Sequence, residues 1–184
     1  MTTAIFGKEH LVSFDGTNAL RIRLFDGPLH LAWRHSAMTS DFIAETMALD
    51  FRASERQYKT VRHDIGYLTN ELIENSIKFR ASGEILIEAL RDAHHFRMRI
   101  VNLIDREATD HFQQLLLRVT AGDPGDLLIE QIEASVLAGD NASGLGLLTL
   151  MSDYQVQLAW HFDEDGPRKR IKLQTYAAMA ISSA

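Results

Sequence analysis

Several segments of the chain alternate apolar with polar residues, as strands do when one face of a sheet is solvated. The first predicts a β-hairpin over about residues 19–34, where an alternating run from Leu20 meets a Gly-Pro turn and a second run ending at Trp33. The other predicted strands share this alternation and cover residues 84–91, 95–104, 154–163 and 169–179. A sheet with one apolar face needs helices to cover it.

Apolar spacings of three and four residues predict the helices that cover this sheet. These helices span about residues 39–56, 62–80, 107–120 and 125–138, and a further helix follows the glycine-rich segment 139–146. The sequence thus predicts an α/β fold, a two-layer sandwich of a mostly antiparallel mixed sheet covered by helices on one face. Residues 1–184 form one domain, since no linker-like or low-complexity tract divides them.

The helix predicted at about 62–80 carries three chemically distinct side chains along one edge. Glu71, Asn75 and Lys78 are spaced by four and three residues, so they fall within about 60° of one another on a helix. They offer an acid/base, a metal ligand and a cation. The alternative is an ordinary solvated helix edge, on which such residues also occur together by chance.

The segment 139–146 is a polar, glycine-rich loop that runs directly into an apolar helical pattern. Glycines let the backbone approach a ligand closely, and the start of the following helix attracts phosphate oxygens. The alternative is an unremarkable loop and helix start, because a Gly-x-Gly pair alone is a weak signal.

The stretch from Asn70 to Phe79 resembles the N-box of the GHKL superfamily, the Bergerat-fold ATPases and kinases, and the segment 139–146 resembles the G2 box of that superfamily. The resemblance implies a Bergerat (HATPase-like) ATP-binding domain that uses ATP and Mg²⁺. It implies that Glu71 is catalytic, that Asn75 binds the metal, and that Lys78 approaches phosphate. In the glycine segment, the implied nucleotide-binding residues are Gly139, Gly144, Leu145 and Gly146.

The chain departs from the superfamily where the adenine-binding G1 box is expected. Most members have Asp-x-Gly-x-Gly after the strand that corresponds to the one predicted here at 95–104. In this chain an Asp follows that strand, but neither glycine is present. Asp105 is the nearest candidate for binding adenine, and Asn102 at the strand end competes with it. Asp105 can equally be the cap of the helix predicted at 107–120.

Within the superfamily, the chain is most similar to anti-sigma-factor-type serine/threonine kinases and to SiaB-like protein kinases. This similarity implies phosphoryl transfer to a small partner protein in bacterial partner switching, either an anti-sigma antagonist or a SiaC-like regulator. Two alternatives stay open: a non-catalytic GHKL-like module that sequesters a regulator, and a histidine-kinase-like ATPase domain. The acceptor residue and the oligomeric state, including a homodimer, are not readable from one sequence.

The composition of the chain bears on which partners it can bind and in which cell compartment it is expected. The net charge is −6, from 19 basic and 25 acidic residues, so no broad basic surface is expected to bind nucleic acid. No segment approaches the run of about 18 apolar residues that a membrane-spanning helix needs. The chain has no cysteine, which excludes disulfides and thiol catalysis. We therefore expect a soluble, cytoplasmic protein that binds neither nucleic acid nor membrane.

Overall fold

The computed structural model describes residues 4–25, 33–92, 94–138, 144–165 and 170–181. Within these residues the chain forms six strands and five helices. Their order is β1 (Ala4–Gly7), β2 (Leu20–Phe25), α1 (Trp33–Ala48), α2 (Glu55–Phe79), β3 (Glu84–Arg91), β4 (His95–Ile104), α3 (Arg106–Val119), α4 (Pro124–Ala138), α5 (Leu145–Ser152), β5 (Gln157–Asp165) and β6 (Arg170–Ala180). Short 3₁₀ turns follow β1 at Glu9–Ser13 and α1 at Leu49–Phe51.

The described strands form one sheet in the order β1-β5-β6-β4-β3-β2, and every neighbouring pair is antiparallel. On β4, the buried Phe96, Met98 and Ile100 alternate with Arg97 and Arg99 on the opposite face. The apolar face packs in one core with side chains of α1, α2, α3 and α5. The predicted α/β two-layer sandwich is confirmed.

The local sequence determines where helix α2, which carries candidate site residues, begins and which of its faces is buried. Ser54 lies before its first residue in extended conformation and accepts a hydrogen bond from the Gln57 amide, as N-cap residues do. The helix therefore begins at Glu55, earlier than the predicted start near residue 62. Its buried stripe includes Ile65, Leu68 and Leu72, and this face joins the core while the adjacent edge stays accessible.

The predicted hairpin at 19–34 is only partly correct. Strand β2 is present, but the strand that pairs with it is β3, and Trp33 begins α1 instead of ending a strand. Residues 26–32 lie outside the described part of the chain. Helix α1 was expected to start near residue 39; its earlier turns bury Ser36 and Ser40, and small polar residues give no hydrophobic periodicity.

Two smaller differences concern the sheet. Strand β1 was not predicted, since four residues are too few to show an alternating pattern. Strand β5 begins at Gln157 instead of residue 154, because Gln155 has a left-handed φ of 53° that interrupts extended backbone. Among the described residues, no helix combines the length and apolarity needed to cross a membrane.

Candidate active site

Helix α2 places the three predicted residues along one edge, as their spacing requires. Glu71 and Asn75 are half-buried, whereas Lys78 is exposed. The Lys78 ammonium lies 5.2 Å from the centroid of the Phe79 ring. Within the described residues, no ion pair involves the Lys78 ammonium, so it is free to approach an anion.

The first turn of α5 lies against the same edge of α2. Gly146 is so close to Glu71 that a Cβ atom added to it would overlap the carboxylate oxygen Oε2. Any side chain at this point would require the Glu71 carboxylate to move. The next residue, Leu147, lines a small cavity together with Asn75. The two motifs found in the sequence are therefore in direct contact.

Gly144 is the N-cap of α5 and has a φ of 102°, a conformation that side chains rarely adopt. A Cβ atom at this position would lie 2.8 Å from Leu115 Cδ1 and 3.2 Å from Val119 Cγ1. Gly144 thus lets α5 begin tightly packed on α3. Leu145 opens the helix, and the predicted phosphate-binding Gly139 lies outside the described residues.

The electrostatics of Glu71 set it apart from the other carboxylates of α2. Burial raises the pKa of its carboxyl group above the usual value, and the nearby Glu74 charge raises it further. Within the described residues, nothing donates a hydrogen bond to this carboxylate and no cation pairs with it. Its one favourable neighbour is the start of α5, whose dipole favours negative charge. A carboxylate in this state is well suited to accept a proton.

The donors present at this edge fit Mg²⁺. Mg²⁺ takes one or two protein oxygens and completes its octahedron with waters and phosphate oxygens. The side-chain oxygen of Asn75 can serve as one such ligand, because no hydrogen bond engages the Asn75 amide within the described residues. No cluster of three or more His, Asp or Glu residues that could hold a metal occurs in the described part of the chain, so a site built wholly from such side chains is not formed there.

The space beside Asn75 is closed. The cavity it shares with Phe112, Leu147 and Thr175 measures about 10 Å³, roughly enough for one water molecule. The Phe112 ring fills this region and stacks on Phe79 with 4.8 Å between ring centroids. In this structure side chains of α3 and α5 therefore pack beside Asn75, and residues 139–143 of the glycine segment lie outside the described part of the chain.

The two candidates for adenine binding have different surroundings. Asp105 is the N-cap of α3, and its Oδ1 accepts a hydrogen bond of 2.9 Å from the Ala108 amide, which confirms the helix-cap alternative. Asn102 lies on the inner face of β4 and is 2% exposed. Its Nδ2 donates to the Leu103 carbonyl at 3.3 Å, while its Oδ1 is buried and has no hydrogen-bond partner in the described part of the chain.

Sequence reasoning missed the residues that line the closed space from the opposite side. Phe112 is an apolar residue of an amphipathic helix, and Thr175 belongs to a strand in which five consecutive residues are buried. No local sequence pattern marks Phe112 or Thr175 as a site residue, because their proximity to Asn75 depends on how α3 and β6 pack against α2.

No protein-family model matches this chain, and a search of curated proteins finds no match either. The resemblance to the GHKL superfamily therefore rests on the two sequence motifs.

Proposed function

We propose that this chain is a cytoplasmic, ATP- and Mg²⁺-dependent serine/threonine protein kinase of the anti-sigma or SiaB-like type, which phosphorylates a small regulatory partner protein. The observation that carries the proposal is the contact between Glu71 and Gly146. Two motifs that are about 70 residues apart in sequence meet at one edge of α2, on the start of a helix suited to hold phosphate.

Glu71 is the residue proposed to act on the acceptor. Its carboxylate orients the hydroxyl of a partner Ser or Thr and takes the proton as the oxygen attacks the γ-phosphorus of ATP. The bond from that phosphorus to the bridging oxygen of ADP breaks in the same displacement. Because the transition state of such transfers is loose, positioning and charge stabilisation supply most of the catalysis. The raised pKa of Glu71 favours proton uptake.

Asn75 and Lys78 serve the nucleotide in this proposal. The Asn75 side-chain oxygen would hold Mg²⁺, which neutralises charge on the β- and γ-phosphates when it is bound. Lys78 is exposed at the next turn and can reach phosphate oxygens in solvent. The amides at the start of α5, from Leu145 to Leu147, would receive the remaining phosphate oxygens.

A second candidate function has a specific observation in its favour. The cavity beside Asn75 measures about 10 Å³, so a nucleotide would need a wider opening at that point than this structure shows. A module that binds and sequesters a regulator without transferring phosphate needs no such opening. The fold would then serve as a binding scaffold, and Glu71 would have no chemical role.

A phosphotransfer assay separates these functions. The wild type and the isosteric Glu71→Gln variant are incubated with radiolabelled Mg-ATP and candidate partner proteins. In the kinase, Glu71→Gln lowers transfer about 100-fold, the usual scale for a positioned base, and does not weaken ATP binding. Glu55→Gln is the matched control, because it makes the same change at an exposed position of the same helix and leaves transfer intact.

The product identifies the reaction. A phosphate bond that survives acid is expected for Ser or Thr, whereas an acid-labile product would favour the histidine-kinase-like alternative. A wild-type protein that binds a partner tightly but labels none would contradict the kinase and support the sequestering module.

A further inference from the structure

Residues 8–19, the crossing segment, run over the face of the sheet that points away from the helices, the outer face. They connect β1 and β2, which are the two edge strands of the sheet. The Phe14 ring centroid lies 5.5 Å from Arg99 Cζ of β4. Farther along, a Cβ atom added to Gly16 would lie 3.0 Å from Glu88 Oε1 of β3. The crossing segment therefore covers part of a face that the alternating sequence pattern indicated to be solvated.

Polar side chains of the outer face are buried beneath this segment. Glu88 and Tyr176 are each 2% exposed, although both lie on the same face as Arg99. The Glu88 carboxylate accepts hydrogen bonds of 2.9 Å from Arg21 Nε and 2.6 Å from Arg99 Nε. Because its charge is paired on both sides, this buried carboxylate is stable where it lies. The covered patch is thus an integral part of the fold.

Beside the covered patch, the crossing segment and the sheet enclose a cavity of about 570 Å³, a size typical of small-molecule sites. The 3₁₀ turn Glu9–Ser13 and Phe14 line it on one side. On the other side the outer face of β6 continues from Tyr176 to Ala178 and Ala180, whose short side chains leave the space open. The cavity lies on the opposite face of the sheet from the candidate active site.

The charges around this cavity favour an anionic ligand. Arg97, His10 and His95 line it, and no Asp or Glu of the described residues does, although the chain as a whole has a net charge of −6. Arg97 Nη2 donates a 2.6 Å hydrogen bond to Asp92, which also accepts the His94 and His95 amides. Within the described residues nothing else binds the Arg97 guanidinium. Asp92 thus orients the guanidinium, and the remaining N–H groups can bind a carboxylate.

The rest of the cavity wall fits a flat apolar group. Phe14, Leu11 and Tyr176 line it together with the alanines of β6, and aromatic rings pack well against such side chains. The Tyr176 hydroxyl donates to Gln174 Oε1 at 3.2 Å, so its polar end is already paired. An inorganic anion would leave this apolar surface uncovered.

We propose that this cavity binds a small aromatic carboxylate: Arg97 holds the carboxylate group, and the ring lies between Phe14 and the alanines of β6. The site goes beyond the proposed kinase and does not depend on it. Because the ligand would join the crossing segment to β4 and β6, its binding would also stabilise the folded chain.

The experiment uses indole-3-acetate as the probe and indole-3-acetamide, a neutral molecule of nearly the same shape, as its control. NMR titration of the full chain without nucleotide should give a Kd of about 1 mM for the acid, the scale expected for a ligand of this size. The amide should bind at least tenfold more weakly, because it cannot make a charge-assisted bond to Arg97. Arg97→Gln should weaken binding of the acid about tenfold and leave that of the amide unchanged.

A second variant tests the position of the ring. Ala178→Leu places a larger side chain in the cavity and should abolish binding of the acid. Arg23→Gln is the matched control for charge, because it removes an exposed arginine of the same outer face, on β2 and outside the cavity. It should keep the wild-type affinity.

The comparison of acid and amide in the wild type needs no variant to fold. No spectral change at about 10 mM indole-3-acetate, ten times the expected Kd, overturns the proposal, and so does equal affinity for acid and amide. Wild-type affinity in Arg97→Gln or in Ala178→Leu would place the ligand elsewhere and overturn it too. None of these measurements involves a nucleotide, so the proposed kinase is tested separately.

Discussion

Replacing Asn102 by leucine should stabilise the protein. The side chain is enclosed in the core, and its Oδ1 has no hydrogen-bond partner among the described residues. Leaving a buried acceptor unsatisfied costs about 1–3 kcal/mol. Leucine has nearly the same shape as asparagine and carries no polar atoms, so the substitution removes this cost and adds apolar burial.

The substitution also removes the hydrogen bond that Asn102 Nδ2 donates, but this costs little free energy of unfolding. The bond from Nδ2 to the Leu103 carbonyl is 3.3 Å long, and a neutral hydrogen bond contributes about 0.5–1.5 kcal/mol. The Leu103 carbonyl stays satisfied after the substitution because it also accepts a 2.7 Å bond from the Ala81 amide. The net expectation is a gain of about 1–2 kcal/mol in the free energy of unfolding. A domain of this size converts that gain to a rise in Tm of roughly 2–8 °C.

Thermal unfolding followed by circular dichroism, without nucleotide, measures this gain. Asn102→Ala is the control, because it also removes the acceptor but leaves a cavity, and its Tm should lie below that of Asn102→Leu. A fall in Tm for Asn102→Leu would refute the reasoning. It would mean that Oδ1 is satisfied in solution, for example by a buried water with several hydrogen bonds.

Two further predictions concern the contact between α2 and α5. Burial raises the pKa of Glu71 in the folded state, so ionisation of this carboxyl group opposes folding. Glu71→Gln should therefore raise Tm at neutral pH. The difference in Tm from wild type should vanish below the ordinary carboxyl pKa of 4.5, where both folded and unfolded chains carry a protonated Glu71. A pH-independent difference would contradict that assignment. Gly146→Ala should destabilise by about 1 kcal/mol, the low end of overpacking, because its methyl group overlaps only the flexible end of the Glu71 side chain. Adding Glu71→Ala should restore part of the loss; additive losses in this double-mutant cycle would show that the two residues do not touch.

Much of the fold could be predicted because its longer elements have strong periodicity. Strands β3 and β4 begin and end at the residues that the alternating pattern indicated. The start of α1 was missed because a buried residue of its first turns is Ser36, and a hydroxyl residue does not register as apolar. The prediction of a second hairpin strand was wrong at Trp33, where α1 begins, because a short alternating run does not reveal whether a helix follows.

Only those features of the candidate site that lie within one helix could be predicted; contacts between different elements could not. Helical spacing predicted that Glu71, Asn75 and Lys78 share an edge of α2, since that depends on local geometry. No local pattern indicated that Phe112 lies beside Asn75, because this proximity depends on tertiary packing. That Asp105 caps α3 while Asn102 is buried on β4 also depends on contacts that a sequence does not show.

The closed arrangement has a mechanistic consequence for the proposed kinase. The first intrahelical bond of α5 runs from the Leu148 amide to the Gly144 carbonyl, so the amides of the preceding turn are not used within the helix. The Glu71 carboxylate lies against this turn, where the phosphates of ATP are proposed to bind. Two anions cannot occupy that place, and the phosphates carry more charge and bring Mg²⁺. Nucleotide binding would therefore move α5 away from Glu71, and the same movement would free the carboxylate to meet the hydroxyl of the partner protein.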